Sequence, residues 1–409
     1  MSLNALEGIR VIDLSHVIAG PTASHYLALQ GAQVIKVENP ATGDILRWRA
    51  ADRLADGVSI GFAAINGGKQ SLALDLKNQR CREALAALIV SADVFIENFR
   101  PGAVARLGFD YAAVKAIKPD IIYASISGFG QEGEWGRRAA YDHVVQSALG
   151  MSMQQGLEGE DPIKVGFPVI DTATGMIGAQ AILAALIRRL RRGHGAYLDI
   201  SMAQAALQLM WPDAARAGVT GRDAVRVGNR GFSGSPGGST FRCADGWIST
   251  AANTARQFRI FCEVIGLPQV PDDATLVDTK AMSAGNGFAV AVDGRRLQLM
   301  FAEAIGKLAA ADLEARLAAR DVPCARMVTL AEFLKRATAG GMLTLPMRST
   351  AYAHGTLTDF GAGFKADGSD GTALGPAPRL GQHTATILAE AGFSAAEIAA
   401  LASDGKVKV

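Results

Sequence analysis

Apolar residues along the first two hundred positions follow two alternating patterns. Short apolar runs at 9–14 (IRVIDL), 33–38 (QVIKVE), 93–97 (DVFIE), 121–127 (IIYASIS) and 197–201 predict buried strands, and 71–76 (SLALDL) alternates as a further strand or ribbon. Helical patterns lie between them. One spans 22–30 and is closed by Gly31; another spans 78–91, with Leu85, Leu88 and Ile89 on one face. Longer helices are predicted at 141–154 and 171–192. Strands that alternate with helices in this way predict an α/β fold with a parallel sheet covered by helices.

The pattern changes after Trp211-Pro212. Residues 228–238 (GNRGFSGSPGG) hold five glycines and a proline, too many for a regular element. A strand pair turning at Asp245-Gly246 is expected over 240–251, then helices at 254–265, 295–306 and 311–319, together a smaller α+β unit. Beyond Val328 the chain is irregular, with Gly340, Gly341, Pro346, Gly361 and Gly363, until a last helix near 384–392. So loosely patterned a tail has little core of its own and is expected to lie against another part of the protein or a second subunit.

Composition narrows the class. Apolar residues form 49 % and charged residues 20 % of the 409 positions, a globular balance that excludes a disordered or coiled-coil chain. Forty-one Lys and Arg against 39 Asp and Glu leave a formal charge of +2, so no bulk basic excess points to nucleic acid. The apolar stretch 176–187 is too short to cross about 30 Å of lipid and runs into Arg188. No basic segment followed by an apolar one opens the chain, so secretion is not expected. Cys81, Cys243, Cys262 and Cys324 lie far apart without a C-x-x-C, which fits reduced thiols, no metal site and a cytoplasmic location.

In a parallel sheet, ligands collect where strands end and helices begin. The first strand ends in Ser15-His16-Val17-Ile18-Ala19-Gly20-Pro21, and Glu38 closes the second. Without G-x-G-x-x-G in that loop, a dinucleotide is disfavoured. Gly67-Gly68-Lys69 likewise fails the Walker frame. Asp171, at the head of the long helix with small neighbours through Gly175, fits a helix N-cap, a position that favours Asp.

Several segments together carry a more specific signal. The stretches 8–44 (GIRVIDLSHVIAGPTASHYLALQGAQVIKVENPATGD), 66–77 (NGGKQSLALDLK), 92–111 (ADVFIENFRPGAVARLGFDY), 123–130 (YASISGFG), 139–150 (AAYDHVVQSALG) and 167–175 (FPVIDTATG) occur in that order. With 245–253, 322–333 and 379–393 they resemble the family III CoA-transferases across nearly the whole chain. The resemblance implies a Rossmann-like large domain of about 1–205 completed by 356–409, a small domain of 226–328, and linkers at 206–225 and 329–355. It also implies a homodimer whose chains thread through each other like linked rings. No tightly bound cofactor is expected; coenzyme A enters as substrate.

The same resemblance assigns Asp171 as nucleophile. At a helix N-terminus its carboxylate is expected to stay ionised, the form that attacks. Attack on an acyl-CoA thioester would give a mixed anhydride, then an aspartyl-CoA thioester, then transfer to an incoming carboxylate. The glycines Gly231, Gly234, Gly237 and Gly238 would shield the anhydride and offer oxyanion-binding amides, in a loop interrupted by Phe232, Ser233, Ser235 and Pro236. His16, Val17, Ile18 and Ala19 would border the thioester. Leu74, Lys77, Asn98, Phe99 and Arg100 would border adenine and ribose, and Ala139, Tyr141 and Asp142 the pantetheine arm. Asn39 stands where some members carry an arginine, which shifts phosphate pairing to Arg106 and Arg47. Ile18 stands where some carry a glutamine; with Phe232 and Trp211 it suggests an apolar acyl group. The rival within the fold, α-methylacyl-CoA racemase, needs a histidine where Tyr141 stands, and His143 is displaced from that position. A non-catalytic CoA-binding protein and an oxidoreductase are the alternatives of other classes.

Overall fold

The computed structural model describes residues 4–48, 52–231, 233–283, 287–339, 343, 345–369, 371–372 and 374–409. The chain forms two compact units: a larger one of residues 1–152, 164–223 and 345–409, and a smaller one of 153–163 and 224–344. Its strands are β1 (Arg10–Asp13), β2 (Gln33–Glu38), β3 (Arg53–Ala55), β4 (Val58–Ser59), β5 (Gln70–Leu74), β6 (Val94–Glu97), β7 (Ile122–Ser127), β8 (Ala196–Ser201), β9 (Thr240–Arg242), β10 (Trp247–Thr250), β11 (Cys324–Arg326), β12 (Arg348–Tyr352), β13 (Gly355–Asp359) and β14 (Val407–Lys408).

In the larger unit a seven-stranded sheet runs β14-β5-β2-β1-β6-β7-β8. All neighbours are parallel except β14, which pairs antiparallel with β5. Strand order therefore reverses between β1 and β6, where a crevice opens at the C-terminal ends. Both faces are apolar, as a covered parallel sheet requires. On one face Ile12, Ile35, Leu72 and Phe95 meet Leu85, Leu88 and Ile89 of the helix Gln79–Val90. On the other, Val11, Val34, Ile96 and Ile126 meet Ala23 and Leu27 of the helix Ala19–Ala28 and Ala179, Ile182 and Leu186 of the helix Val169–Arg192. The tail joins the first face through Ile387, Leu388, Leu401 and Val407, so its sparse apolar residues complete an existing core. In the smaller unit, β11, β10 and β9 form an antiparallel sheet. It packs with the helices Ala255–Val264, Gly294–Ile305 and Ala310–Ala318 around Phe241, Phe258, Phe261 and Phe301.

Three expectations are corrected. Residues 206–225 are not a bare linker: the helices Met202–Leu209 and Trp211–Thr220 occupy most of them. Pro212 breaks nothing there, because it sits in the first turn, where its missing N–H has no helical partner to lose. The helix expected at 141–154 ends at Ala148, and Gly150, with φ +77°, separates it from a 3-10 turn at Met151–Gln154. Segment 329–355 carries the helix Leu330–Thr338 and strand β12. Among the described residues one helix, Val169–Arg192, is long and apolar enough to span a membrane. Half of its apolar window is buried inside the protein, as in a core helix.

That helix approaches Ala19–Ala28 closely because glycine stands at the contact. A Cβ on Gly175 would lie 2.5 Å from the Thr22 Cβ and 2.8 Å from the Ala19 carbonyl oxygen; one on Gly178 would lie 3.2 Å from the Ala23 Cβ. Gly175→Val is expected to lower unfolding free energy by about 1–3 kcal/mol, and Gly178→Ala by less, in urea titrations. Equal stability of Gly175→Val and the wild type would contradict this packing.

Candidate active site

The crevice is floored by buried charge. Asp13, Lys36, Glu38 and Lys69 lie at or beside the ends of β1, β2 and β5, with Asp44 and Arg47 in the following loop, and all six are almost fully buried. They pair: Lys36 Nζ lies 3.0 Å from Asp44 Oδ2, Lys69 Nζ 3.3 Å from Asp13 Oδ2, and Arg47 Nη2 2.7 Å from Glu38 Oε1. The remaining donors are also satisfied. Lys36 donates to the Ser15 carbonyl, and Lys69 to the Pro21 carbonyl and Ser24 Oγ. Coulombic pull from both lysines and hydroxyl bonds from Ser15 and Ser24 outweigh burial and hold the Asp13 carboxyl at about 2, while burial brings Lys69 down to about 8. Sequence reading missed this network, although a lysine inside an apolar strand such as Lys36 must find an anion.

The network fixes the loop that follows β1. Val17 adopts φ +69°, a left-handed conformation that costs a β-branched residue free energy. Its N–H points to both Asp44 carboxylate oxygens at 3.2–3.3 Å. On the other side Asn98 clamps His16, accepting its N–H and donating to its carbonyl, each at 2.8 Å.

Around this loop lie two cavities within the larger unit. The first, of about 230 Å³, is lined by His16 to Ala19, Asn98 to Pro101, Ile126 to Gly128, Gly136, Arg138 to Tyr141, Asp171 and Met202. The second, of about 160 Å³, is mostly apolar, with Leu14, Val37, Leu74, Leu76, Phe99 and Leu107 joined by Glu38, Asn39, Asp75 and Lys77. His16 and Phe99 line both, their rings edge to face at 5.8 Å. Burial, then the Lys36 charge, lowers the His16 pKa and favours its neutral form.

Most expected residues therefore gather at these cavities: His16, Val17, Ile18, Ala19, Asn98, Phe99, Arg100, Ala139, Tyr141 and Asp171 at the first, and Asn39, Leu74 and Lys77 at the second. Three do not. Arg47 is committed to Glu38, to the carbonyls of Gly57 and Pro378 and to the Phe62 ring, 3.8 Å below its guanidinium carbon. Arg106 lies exposed on the one-turn helix Ala103–Arg106, outside the lining of both cavities. Asp142 is buried beneath Asp171, its Oδ2 accepting the Ile170 and Asp171 N–H groups at 2.7 and 2.9 Å. Arg138, lying over the Trp135 ring at 4.0 Å, is a cavity cation that sequence reading passed over.

The charge state expected of Asp171 also needs correction. It occupies the third position of the helix, not the cap, and Asp142 already holds the N–H groups that would have stabilised its carboxylate. Burial, reinforced by the Asp142 charge, raises its pKa to about 7. Among the described residues, Asp171 is the one carboxyl in the first cavity's lining.

In the smaller unit the glycine-rich loop is bonded to itself and to its own sheet. Gly231 N–H donates to the Gly238 carbonyl, Gly234 to Gly231 and Gly238 to Ser235, so these three expected oxyanion donors are engaged. Gly237 pairs with Ala252, and a Cβ there would stand 2.9 Å from both the Ala252 Cβ and its carbonyl oxygen. Phe232 lies outside the described residues. Among the described residues no cluster of His, Cys, Asp or Glu is arranged to hold a metal ion.

Comparison with known proteins adds the following. A profile described as CoA-transferase family III matches residues 6–384. The chain is 37 % identical over 284 residues to succinate–glutarate CoA-transferase of Agrobacterium fabrum, spanning 68 % of this chain and 71 % of that one. It is 32 % identical to formyl-CoA:oxalate CoA-transferase of Streptomyces coelicolor, with both chains covered in full. A crystal structure of a CAIB/BAIF family protein from Brucella suis superposes with a TM-score of 0.80 at 28 % identity, covering 94 % of this chain and 99 % of that one.

Lys36→Met would strand the Asp44 carboxylate in the interior. A loss of about 3–5 kcal/mol is expected in chemical denaturation, with partial recovery in Lys36→Met/Asp44→Leu. A single variant as stable as the wild type would show that the pair does not hold this floor.

Proposed function

Because the chain belongs to CoA-transferase family III, we propose that it transfers coenzyme A from an acyl-CoA thioester to a carboxylate acceptor, with Asp171 as the covalent carrier. The observation that carries this reading is one half-buried carboxyl, lining a cavity at the strand ends that Arg100 and Arg138 also line. Nucleophilic catalysis needs that group deprotonated, and a pKa near 7 leaves a large ionised fraction at neutral pH while keeping the oxygen basic.

An Asp171 oxygen attacks the thioester carbonyl, and the C–S bond breaks to release CoA thiolate and leave an aspartyl–acyl anhydride. The thiolate then attacks the aspartyl carbonyl, expelling the donor carboxylate and leaving an aspartyl-CoA thioester. An acceptor carboxylate attacks that thioester and reverses the sequence, so Asp171 ends free. Both anhydrides hydrolyse if water reaches them, which favours the apolar walls of Val17, Ile18, Ile126 and Met202.

The second cavity suits the nucleotide end, its leucines and Phe99 flanking an adenine with Lys77 at the rim. The Rossmann-like description of the sheet and the threaded homodimer belong to the same proposal. Leu190, Trp211 and Val219, which a lone chain leaves exposed, are compatible with a covering partner. Racemisation is not favoured: His143 is exposed, stacks on Tyr141 and does not line the cavity.

Enzyme incubated with succinyl-CoA and quenched with hydroxylamine should carry the label on Asp171, and Asp171→Asn should lose roughly three orders of magnitude or more in exchange between labelled acids. A label elsewhere, or turnover retained in the variant, would defeat the assignment. The first half-reaction should accelerate with pH through an apparent pKa of about 7, because protonation removes the nucleophile. A rate independent of pH between 5 and 8 would contradict it.

A further inference from the structure

The hydrogen bonds beneath Asp171 form a chain with a fixed direction. Asp142 Oδ2 accepts the Ile170 and Asp171 N–H groups. Its other oxygen, Oδ1, accepts from Gln146 Nε2 at 2.6 Å, and Gln146 Oε1 accepts the Val165 N–H at 2.8 Å. Asp142 and Gln146 stand one turn apart on the helix Asp142–Ala148, and both are buried. Together they tie down both ends of the segment 165–171, which enters the long helix through Pro168 without a side-chain cap of its own. The Gln146 amide also reaches the Val165 carbonyl at 3.4 Å, so Gln146 both accepts from and donates to Val165 while it donates to Asp142.

We infer that Asp142, held by Gln146, is a positioning residue for the reaction at Asp171: it caps the long helix from outside, fixes the nucleophile's backbone and keeps its carboxyl away from the helix's free N–H groups. This rests on Asp171 as the carrier for its kinetic readout, though not for its structural one. The consequence is chemical. A carboxylate capping the helix itself would be stabilised by those N–H groups and made a weaker base. With Asp142 there instead, Asp171 faces the cavity beside a buried like charge and stays a better nucleophile. Asp171 shares its cavity with His16, Arg100, Arg138 and Tyr141, and the charge that acts on its carboxyl is that of Asp142.

The direction of the chain tells what each substitution does. In Asp142→Asn one oxygen can still face Ile170 and Asp171, but the new amide group then points at Gln146 Nε2, donor to donor. If Gln146 rotates to accept it, its own amide meets the Val165 N–H. One link must break, and the charge is gone in either case. Gln146→Leu removes the links to Oδ1 and to Val165 but leaves the Asp142 charge beside Asp171.

Titration of the Asp171 carboxyl carbon by NMR, paired with steady-state kinetics, separates these roles. Asp142→Asn should lower the Asp171 midpoint by about one unit or more and shift the rising limb of the pH–rate profile equally. Gln146→Leu should leave the midpoint in place yet reduce kcat about 10–100-fold, with little change in KM for acyl-CoA, because the nucleophile is misplaced rather than recharged. An unmoved midpoint in Asp142→Asn, or an unchanged kcat in Gln146→Leu, would overturn the inference. Should Asp142→Asn not accumulate folded, the Gln146→Leu measurement decides alone. If Asp171→Asn keeps turnover, the carrier assignment falls, and the two NMR midpoints still decide whether Asp142 sets the charge at position 171.

Discussion

Six charged side chains buried around the ends of β1 and β2, with Lys69 reaching in from the residue before β5, impose the constraint from which the site follows. An unpaired charge in such a place costs several kcal/mol, so each must meet its opposite. Asp13 with Lys69, Lys36 with Asp44, and Glu38 with Arg47 do so. The pairs link β1, β2 and β5 to the loop after β2, and through Asp44 they hold Val17 in a conformation it would not choose alone. Glu38 lines the second cavity, and the β1 loop that the network holds lines both. A stiff base is a condition for group transfer through a covalent carrier, because small displacements of the reacting atoms lower the rate steeply.

The long helix supplies the second requirement. Glycine at 175 lets it lie against the helix after β1, bringing Asp171 into a cavity lined by the β1 loop. Gly175 is thus a packing residue, while Asp171 is the group proposed as carrier. Their spacing of one helical turn makes one geometry serve both.

Much of this was legible in the chain. The run 121–127 is apolar on both faces, and a strand of that kind can only be covered twice, so the parallel sheet followed. The segments on either side of Asn98 and around Asp171 marked the cavity, because ligand groups gather where parallel strands end. Other readings failed for a common reason. Arg47 looked available for a phosphate and is locked to Glu38; Asp142 looked like a substrate contact and is a helix cap; Asp171 looked like a capped, acidic carboxyl and is held near neutral. In each case residue type was known and the partner was not.

Hydrophobic periodicity alone determined which elements form and which faces they bury, because strands and helices repeat over distances shorter than the elements themselves. The motifs also determined that position 171 heads a helix beside the strand ends. Only the tertiary structure decided who bonds to whom: that Asp142, 29 residues earlier, takes the N–H groups of that helix, and that Lys36 finds Asp44 rather than a ligand. Charge and hydrogen-bond partners are chosen by proximity in space, and in a buried site that proximity sets protonation, which no local pattern encodes.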